Sequence, residues 1–173
     1  MKKTRPKVDL SFIKIKNSKI HGKGVYAKQD IKKKTKVIEY VGEIISKKEG
    51  DRRADLQFDE AKKNKEKGAV YVFELDKEND LDGDVSYNPA KYINHSCNPN
   101  CKVSIRNKRI WIKAIKNIKK GEEINYDYGY ELDNDYKDHP CKCGSKNCIG
   151  YIIGKDYWKK FKKMQRKEEV LKV

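Results

Sequence analysis

The sequence predicts a mostly β chain with short helices, an irregular fold of many short strands. Three observations carry this. The apolar runs are brief, rich in β-branched residues and bounded by Gly or Lys clusters, as strands are. Helical periodicity is confined to one charged stretch near residue 50 and to the C-terminal end. No internal repeat or low-complexity linker divides the chain, and 173 residues suit one domain that buries a core unaided.

Residues 10–45 read as strands and turns. Phe12, Ile13 and Ile15 precede the turn His21-Gly22-Lys23-Gly24. Val25-Tyr26-Ala27 follows, then a charged turn and the run Val37 to Ile45. Residues 46–67 change character: Ser46 and Glu49 fit a capping box, Gly50 weakens it, and Ala54, Leu56, Phe58 and Ala61 are sparse apolar positions. This predicts a mostly exposed helical insert. Residues 69–75 are another strand, and Asp76 to Asn88 is turn-rich. Asn88 and Pro89 can start a short helix, and Asn94 to Asn100 is irregular. Lys102 to Ile115 reads as a hairpin around Arg106-Asn107-Lys108, and Ile118 to Tyr128 holds a Gly turn and a strand. Trp158, Phe161 and Met164 recur near helical spacing in a basic segment, 155–173. That stripe is expected to dock; a membrane-surface or partner helix is the alternative.

Charged residues make up 39% of the chain, and no apolar run approaches the roughly 18 residues of a spanning helix. The start, MKKTRPKVDL, is basic without an apolar stretch, so no secretory signal is expected. A formal net charge of +16 suits an anionic partner such as nucleic acid; a general Lys bias is the competing reading. Five cysteines, three of them at Cys141, Cys143 and Cys148, argue against a disulfide framework and for a metal site in a reducing compartment.

Five stretches carry the chemistry. They are His21-Gly22-Lys23-Gly24-Val25-Tyr26-Ala27, Glu39-Tyr40-Val41-Gly42-Glu43, Lys91-Tyr92-Ile93-Asn94-His95-Ser96-Cys97, Gly121 to Tyr128, and Cys141-Lys142-Cys143-Gly144 with Cys148. Singly each has an ordinary reading: a Gly turn, a loop satisfying backbone groups, a solvated Glu122-Glu123 pair, strand packing at Tyr126-Asp127-Tyr128. In this order, over about residues 10–154, they resemble the SET-domain protein-lysine methyltransferases with a post-SET segment. Tyr71-Val72-Phe73 and its distance to Asn94-His95 look most like the trithorax/mixed-lineage-leukaemia class.

The resemblance implies small twisted sheets with a threaded pseudoknot between the Asn94-His95 and Tyr126-Tyr128 segments. It implies a catalytic domain over 10–132 with the insert at 46–67, a zinc-bound post-SET segment over 137–154, and a basic C-terminal helix over 155–173. The implied reaction moves a methyl group from S-adenosylmethionine to a lysine amine, leaving S-adenosylhomocysteine. Deprotonating a lysine near neutral pH costs roughly 4 kcal/mol, so the site must be narrow, dry and aromatic.

By family position, Tyr128 is nearest the transferring methyl, Tyr126 occupies a Phe/Tyr switch position favouring mono- or dimethylation, and Tyr71 lies between cofactor and substrate. Phe73, Tyr126 and Tyr128 are expected to wall the channel. His21, Lys23, Gly24, Tyr71, Asn94 and His95 are expected at the cofactor, with Trp158 covering the adenine or lining the channel, against ordinary packing of the terminal segment as the plainer reading. Lys91 stands where relatives often carry Arg. Cys97 is the implied fourth zinc ligand beside Cys141, Cys143 and Cys148, and Cys101 is expected to be buried and apolar in role.

The expected partner is a histone, a nucleosome or another basic tail, with non-specific DNA contact, no membrane, and a nuclear, chromosomal (own or host) or cytoplasmic location. Oligomeric state is open. A +16 enzyme repels a basic peptide, so either a locally acidic groove or nearby nucleic acid must attract it. Glu74, Asp76, Asp80, Asp82 and Asp84 are the candidate acidic stretch, with a solvated turn as the plainer reading. The alternatives are a non-catalytic SET-like binding module and a basic zinc-dependent nucleic-acid-binding protein.

Overall fold

The computed structural model describes residues 6–64 and 70–170. In chain order the elements are β1 (Ile13–Asn17), β2 (Lys23–Ala27), β3 (Lys36–Tyr40), β4 (Glu43–Ser46), α1 (Lys47–Lys63), β5 (Val72–Glu74), β6 (Asn79–Asp82), β7 (Asn94–His95), β8 (Cys101–Arg106), β9 (Arg109–Ala114), β10 (Glu123–Tyr126) and α2 (Trp158–Val170). The strands form three small sheets, ordered β1-β2-β10-β7, β3-β9-β8 and β4-β6-β5. Expected positions 65–67 of the insert, Ala69 of the strand and 171–173 of the last helix lie outside the described residues.

The pairing that matters most for the site is parallel: Asn125 and Tyr126 of β10 stand opposite Asn94 and His95 of β7. Asn100 reinforces it, exchanging hydrogen bonds between its own backbone and side chain and those of Asn125 at 3.1 and 2.9 Å. The expected hairpin joins β8 and β9. Its turn residues Asn107 and Lys108 both have positive φ, 51° and 56°, the left-handed pair whose twist matches a two-residue hairpin.

Two parts of the sequence reading change. The run Val37 to Ile45 is two strands in two sheets, broken at Val41-Gly42. A side chain at Gly42 would drive its Cβ into the Asp82 carbonyl oxygen, so only glycine lets the turn pass that strand. The stretch 76–88 is not simply turns, because β6 is the central strand of the third sheet. Its Asn-Asp-Leu-Asp sequence is poor strand chemistry, but α1 neutralises it. Asp80 binds Lys47 at 2.7 Å and Asp82 binds Arg53 at 2.8 Å, both carboxylates buried. The solvated-turn reading does not hold for these two: both are buried and engaged by α1.

Helix α1 starts as its sequence predicts. The Ser46 hydroxyl accepts the Glu49 N–H at 3.3 Å, but Glu49 turns to Arg52 and Arg53 instead of closing the box. The helix runs through the buried Gly50. Pro89–Tyr92 forms a short 3-10 turn with Asn88 ahead of it. Asn88 makes no cap; its buried amide accepts the Val41 N–H and donates to the Gly83 carbonyl.

The main core gathers residues from all three sheets, with Val25, Ile38, Ile93, Ile110, Ile112 and Ile124 at 0–1% exposure. Such side chains contribute about 1.5–3 kcal/mol each on burial. A second, smaller core joins Tyr136, Ile153 and Phe161, with Trp158 and Met164 packed on it. The stripe on α2 is therefore docked, and no described helix is long and apolar enough to cross a membrane.

Candidate active site and thiol cluster

The β7–β10 pairing aligns the side chains that the sequence reading singled out. Asn94 is fixed by Glu123: its Nδ2 donates to Glu123 Oε1 at 2.9 Å and to the Lys23 carbonyl at 3.1 Å. Glu123 also accepts from the Ser18 and Tyr26 hydroxyls at 2.7 and 2.8 Å. A Cβ on Gly24 would collide with that carboxylate. The glycine thus admits Glu123, and it lines neither cavity described below. Read alone, Glu123 is a solvated charge; here it is the hub that joins the residue 18–24 turn to Asn94.

His95 is buried, at 3% exposure. Its Nδ1 accepts the Tyr128 N–H at 3.2 Å, which leaves the ring proton on Nε2. Desolvation pulls the imidazole down to about 4 against the opposing field of Asp127, so the ring is neutral near pH 7. The Tyr128 hydroxyl donates to the Ile93 carbonyl at 3.0 Å. The Tyr128 ring neighbours those of Tyr126, Tyr130 and His95, with centroids 5.0–5.7 Å away. Burial raises the phenols of Tyr40, Tyr126 and Tyr128 above their ordinary value and pushes Tyr130 up to about 12. All four remain neutral hydrogen-bonding groups at physiological pH.

Two cavities meet at this wall. The larger, about 420 Å³, is lined by His21, Asn94, His95 and Tyr128 together with Tyr130 and Pro140, and α1 adds Phe58. The smaller, about 60 Å³, is lined by Tyr40, Tyr71, Tyr126 and Tyr128 with His21, Lys23, Lys91 and Asn94. His21, Asn94 and Tyr128 are common to both. The larger volume falls in the usual range of small-molecule pockets; the smaller suits a narrow chain end.

Most sequence-predicted residues converge here, with two exceptions besides Gly24. Phe73 backs the wall, packing on Tyr40 at 4.6 Å and Tyr126 at 6.1 Å, and lines neither cavity. Trp158 also lines neither. Its indole N–H donates to the Ile153 carbonyl at 3.0 Å within the second core. The reason is register: the aromatic stripe that docks α2 consumes Trp158.

Sequence reasoning overlooked Tyr40 and Gln57. The Tyr40 hydroxyl donates to the Tyr71 carbonyl at 3.0 Å, and Gln57 Oε1 accepts the Tyr71 N–H at 2.8 Å. Tyr40 sits inside a recognised stretch, Glu39 to Glu43, which was its available signal. Gln57 carries none.

The sulfurs of Cys97, Cys141, Cys143 and Cys148 lie within 4.8 Å of one another. Cys97 Sγ is 3.8 Å from Cys141 Sγ and 3.9 Å from Cys148 Sγ. A tetrahedron with Zn–S bonds of about 2.3 Å has edges of about 3.8 Å, so these four residues fit a closed zinc site. Desolvation opposes ionisation of Cys143, but the Ser145 hydroxyl and the Cys97 N–H outweigh it and bring the thiol down to about 6. Cys101 stands apart, fully buried, its thiol pushed up to about 12 by desolvation.

The family model for the SET domain matches residues 22–129. The chain is 42% identical over 135 residues to "Histone-lysine N-methyltransferase trr" of Drosophila melanogaster, covering 76% of this chain and 5% of that protein. It is 37% identical over 135 residues to "Histone-lysine N-methyltransferase 2D" of Homo sapiens, covering 76% and 2%. It is 36% identical over 146 residues to "Histone-lysine N-methyltransferase trithorax" of Drosophila virilis, covering 82% and 4%. The match thus spans about a twentieth or less of the length of these curated relatives. The matched residues hold both tyrosines of β10 and its margin, the Asn94-His95 pair and the Gly22-Lys23-Gly24 part of the turn, and the chain belongs to the SET-domain family.

Proposed function

We propose that this chain is a protein-lysine methyltransferase using S-adenosylmethionine, acting on a histone or nucleosome and favouring mono- or dimethylation. The observation that carries the reading is the shared wall: a nucleoside-sized cavity and a narrow aromatic one have His21, Asn94 and Tyr128 in common. S-adenosylmethionine, when bound, supplies a methyl group on a sulfonium sulfur.

The chain's own residues then do three things. Tyr40, Tyr71, Tyr126 and Tyr128 desolvate the incoming amine, which disfavours its charged form. Asn94 and the His21 turn, held by Glu123, fix the cofactor side. Tyr128 orients the amine by hydrogen bonding and does not act as a base, because burial raises its phenol. The thiol cluster would hold zinc structurally, tying Cys97 beside His95 to the segment 141–148. Relatives named for histone methylation favour a nuclear or chromosomal location, in the cell of origin or a host.

The test is incubation with labelled cofactor and histones, nucleosomes or lysate, followed by mapping of labelled lysines. Wild type should label lysine, and Tyr128→Phe should lose about two orders of magnitude in rate while keeping its fold. Binding of cofactor without transfer to any lysine would favour the non-catalytic module.

A further inference from the structure

Helix α2 has two chemically opposite faces. At about 100° per residue, Trp158, Phe161 and Met164 share one side, and that side is already used. Phe161 is 1% exposed and packs edge-on against Tyr136 and Tyr151 at 5.5 and 5.9 Å. The opposite arc carries Lys159, Lys160, Lys162, Lys163, Arg166 and Lys167, all exposed. Among the described residues none of these six forms an ion pair. Some cations elsewhere do: Lys47, Arg53, Lys91 and Arg109 each meet a carboxylate at 2.5–2.9 Å.

We propose that this outer face of α2 is a docking surface for the phosphate backbone of duplex nucleic acid. Charge density supports the assignment. From Lys159 to Lys167 the helix rises about 12 Å, and duplex DNA carries roughly seven phosphate charges over that axial length. The six cations are on the same scale. A lipid surface fits worse, because an interfacial helix inserts its apolar side, and here that side is buried in the second core. The docked stripe also makes the cationic face a fixed feature of the molecule.

The face further bears on the charge conflict of a +16 chain meeting a basic tail. The acidic stretch after Tyr71 does not offset it, since Asp80 and Asp82 are engaged by Lys47 and Arg53 and Asp84 by Lys91. Duplex held on α2 would attract both partners. The docking itself does not depend on methyl transfer.

The experiment measures binding of the full chain to a labelled DNA duplex by fluorescence anisotropy across a salt series. The α2 variant is Lys159→Gln, Lys163→Gln, Arg166→Gln. The charge-matched control is Lys32→Gln, Lys33→Gln, Lys116→Gln, at exposed positions outside the helix. Wild type and control should bind with a steep salt dependence. The α2 variant should bind more weakly throughout, with a log–log slope shallower by about 2.7, roughly 0.9 for each phosphate no longer neutralised. A second set, Lys160→Gln, Lys162→Gln, Lys167→Gln, should behave alike.

The inference fails if wild type does not bind, if both α2 variants bind as wild type does, or if the control loses as much. It fails also if polyglutamate displaces duplex as well as unlabelled duplex does, which would make the face an acceptor of acidic protein, or if α2 governs capture by anionic lipid vesicles but not by DNA. Lysine labelling measured in parallel separates this outcome from that of the proposed activity, since either result can occur without the other.

Discussion

Gln57 on helix α1 and Tyr71 on the wall of the smaller cavity are joined directly: Gln57 Oε1 accepts the Tyr71 backbone N–H at 2.8 Å. The other end of the same amide donates to Asp82 Oδ1 at 3.0 Å, and Asp82 holds Arg53. Tyr71 is gripped from the far side as well, its carbonyl accepting from the Tyr40 hydroxyl and the Gly83 N–H. The helical insert thus sets the position of an aromatic ring in the site.

Gln57→Leu should consequently slow turnover more than it weakens the fold. It strands a part-buried N–H, at a cost of about 1–2 kcal/mol, and takes a donor from Asp82, while the Tyr40 hydrogen bond persists. The expected result is a lower kcat with little change in KM for the cofactor, and recovery in the double variant Gln57→Glu with Asp82→Asn, which keeps an acceptor for the Tyr71 N–H, reverses the bond between residues 57 and 82 and conserves the charge facing Arg53. Equal losses in thermal stability and activity, with no recovery in the double variant, would reduce Gln57 to scaffold.

Tyr126 is 5% exposed and lies against Tyr128 and Phe73. Removing its hydroxyl opens room beside the amine without moving the ring. Tyr126→Phe is expected to raise the highest methylation state by one step, read as a mass shift on the substrate peptide. An unchanged product distribution would mean that the hydroxyl does not govern methyl number.

Metal removal has a local signature. The segment 141–150 depends on the thiol cluster and on Asn147, whose Nδ2 donates to the Cys97 carbonyl at 3.1 Å. Beyond it, Gly154 and Lys155 are tied to Tyr130 and Asp127 by hydrogen bonds from their backbone N–H groups, and Phe161 is anchored in the second core. A strong chelator should therefore release one zinc per chain and make the exposed Lys142 and Lys146 the first tryptic sites, while α2 stays docked. Four thiols should become alkylatable and Cys101 should not. Elemental analysis finding no zinc in active protein would refute the assignment.

The legibility of this chain follows the range of its interactions. Short-range signals are readable: the Ser46 start of α1, the Asn107-Lys108 hairpin turn, and the aromatic stripe that docks α2. The thiol set is also visible, because Cys97, Cys141, Cys143 and Cys148 sit in recognisable motifs. What stays hidden are polar groups whose partners lie far along the chain. The third sheet's central strand, Asn79–Asp82, is strand-like only because Lys47 and Arg53 neutralise it. Glu123 gains its role from Ser18 and Asn94, and Gln57 gains its own from Tyr71 and Asp82. Trp158 is misplaced for the converse reason: its helical spacing points to packing, and packing takes it.

The phenols around the site fix the pH behaviour. Tyr40, Tyr126 and Tyr128 are raised by burial, and Tyr130 is pushed up to about 12. An unfolded tyrosine loses its proton near 10, so the folded state holds these protons longer. The stability they contribute is fully present below about pH 10 and is lost as pH rises from there toward 12. In activity the same ordering leaves Tyr128 a neutral hydrogen-bonding group throughout the physiological range, while a lysine substrate becomes steadily more deprotonated. The turnover rate should climb with pH on the alkaline side of neutrality, with no falling limb before about pH 10. Phenolate absorbance should show the site tyrosines ionising only on unfolding. A falling limb near pH 8 that coincides with early phenolate formation, and that disappears in Tyr128→Phe, would show an ionising Tyr128 and overturn its assignment as an orienting group.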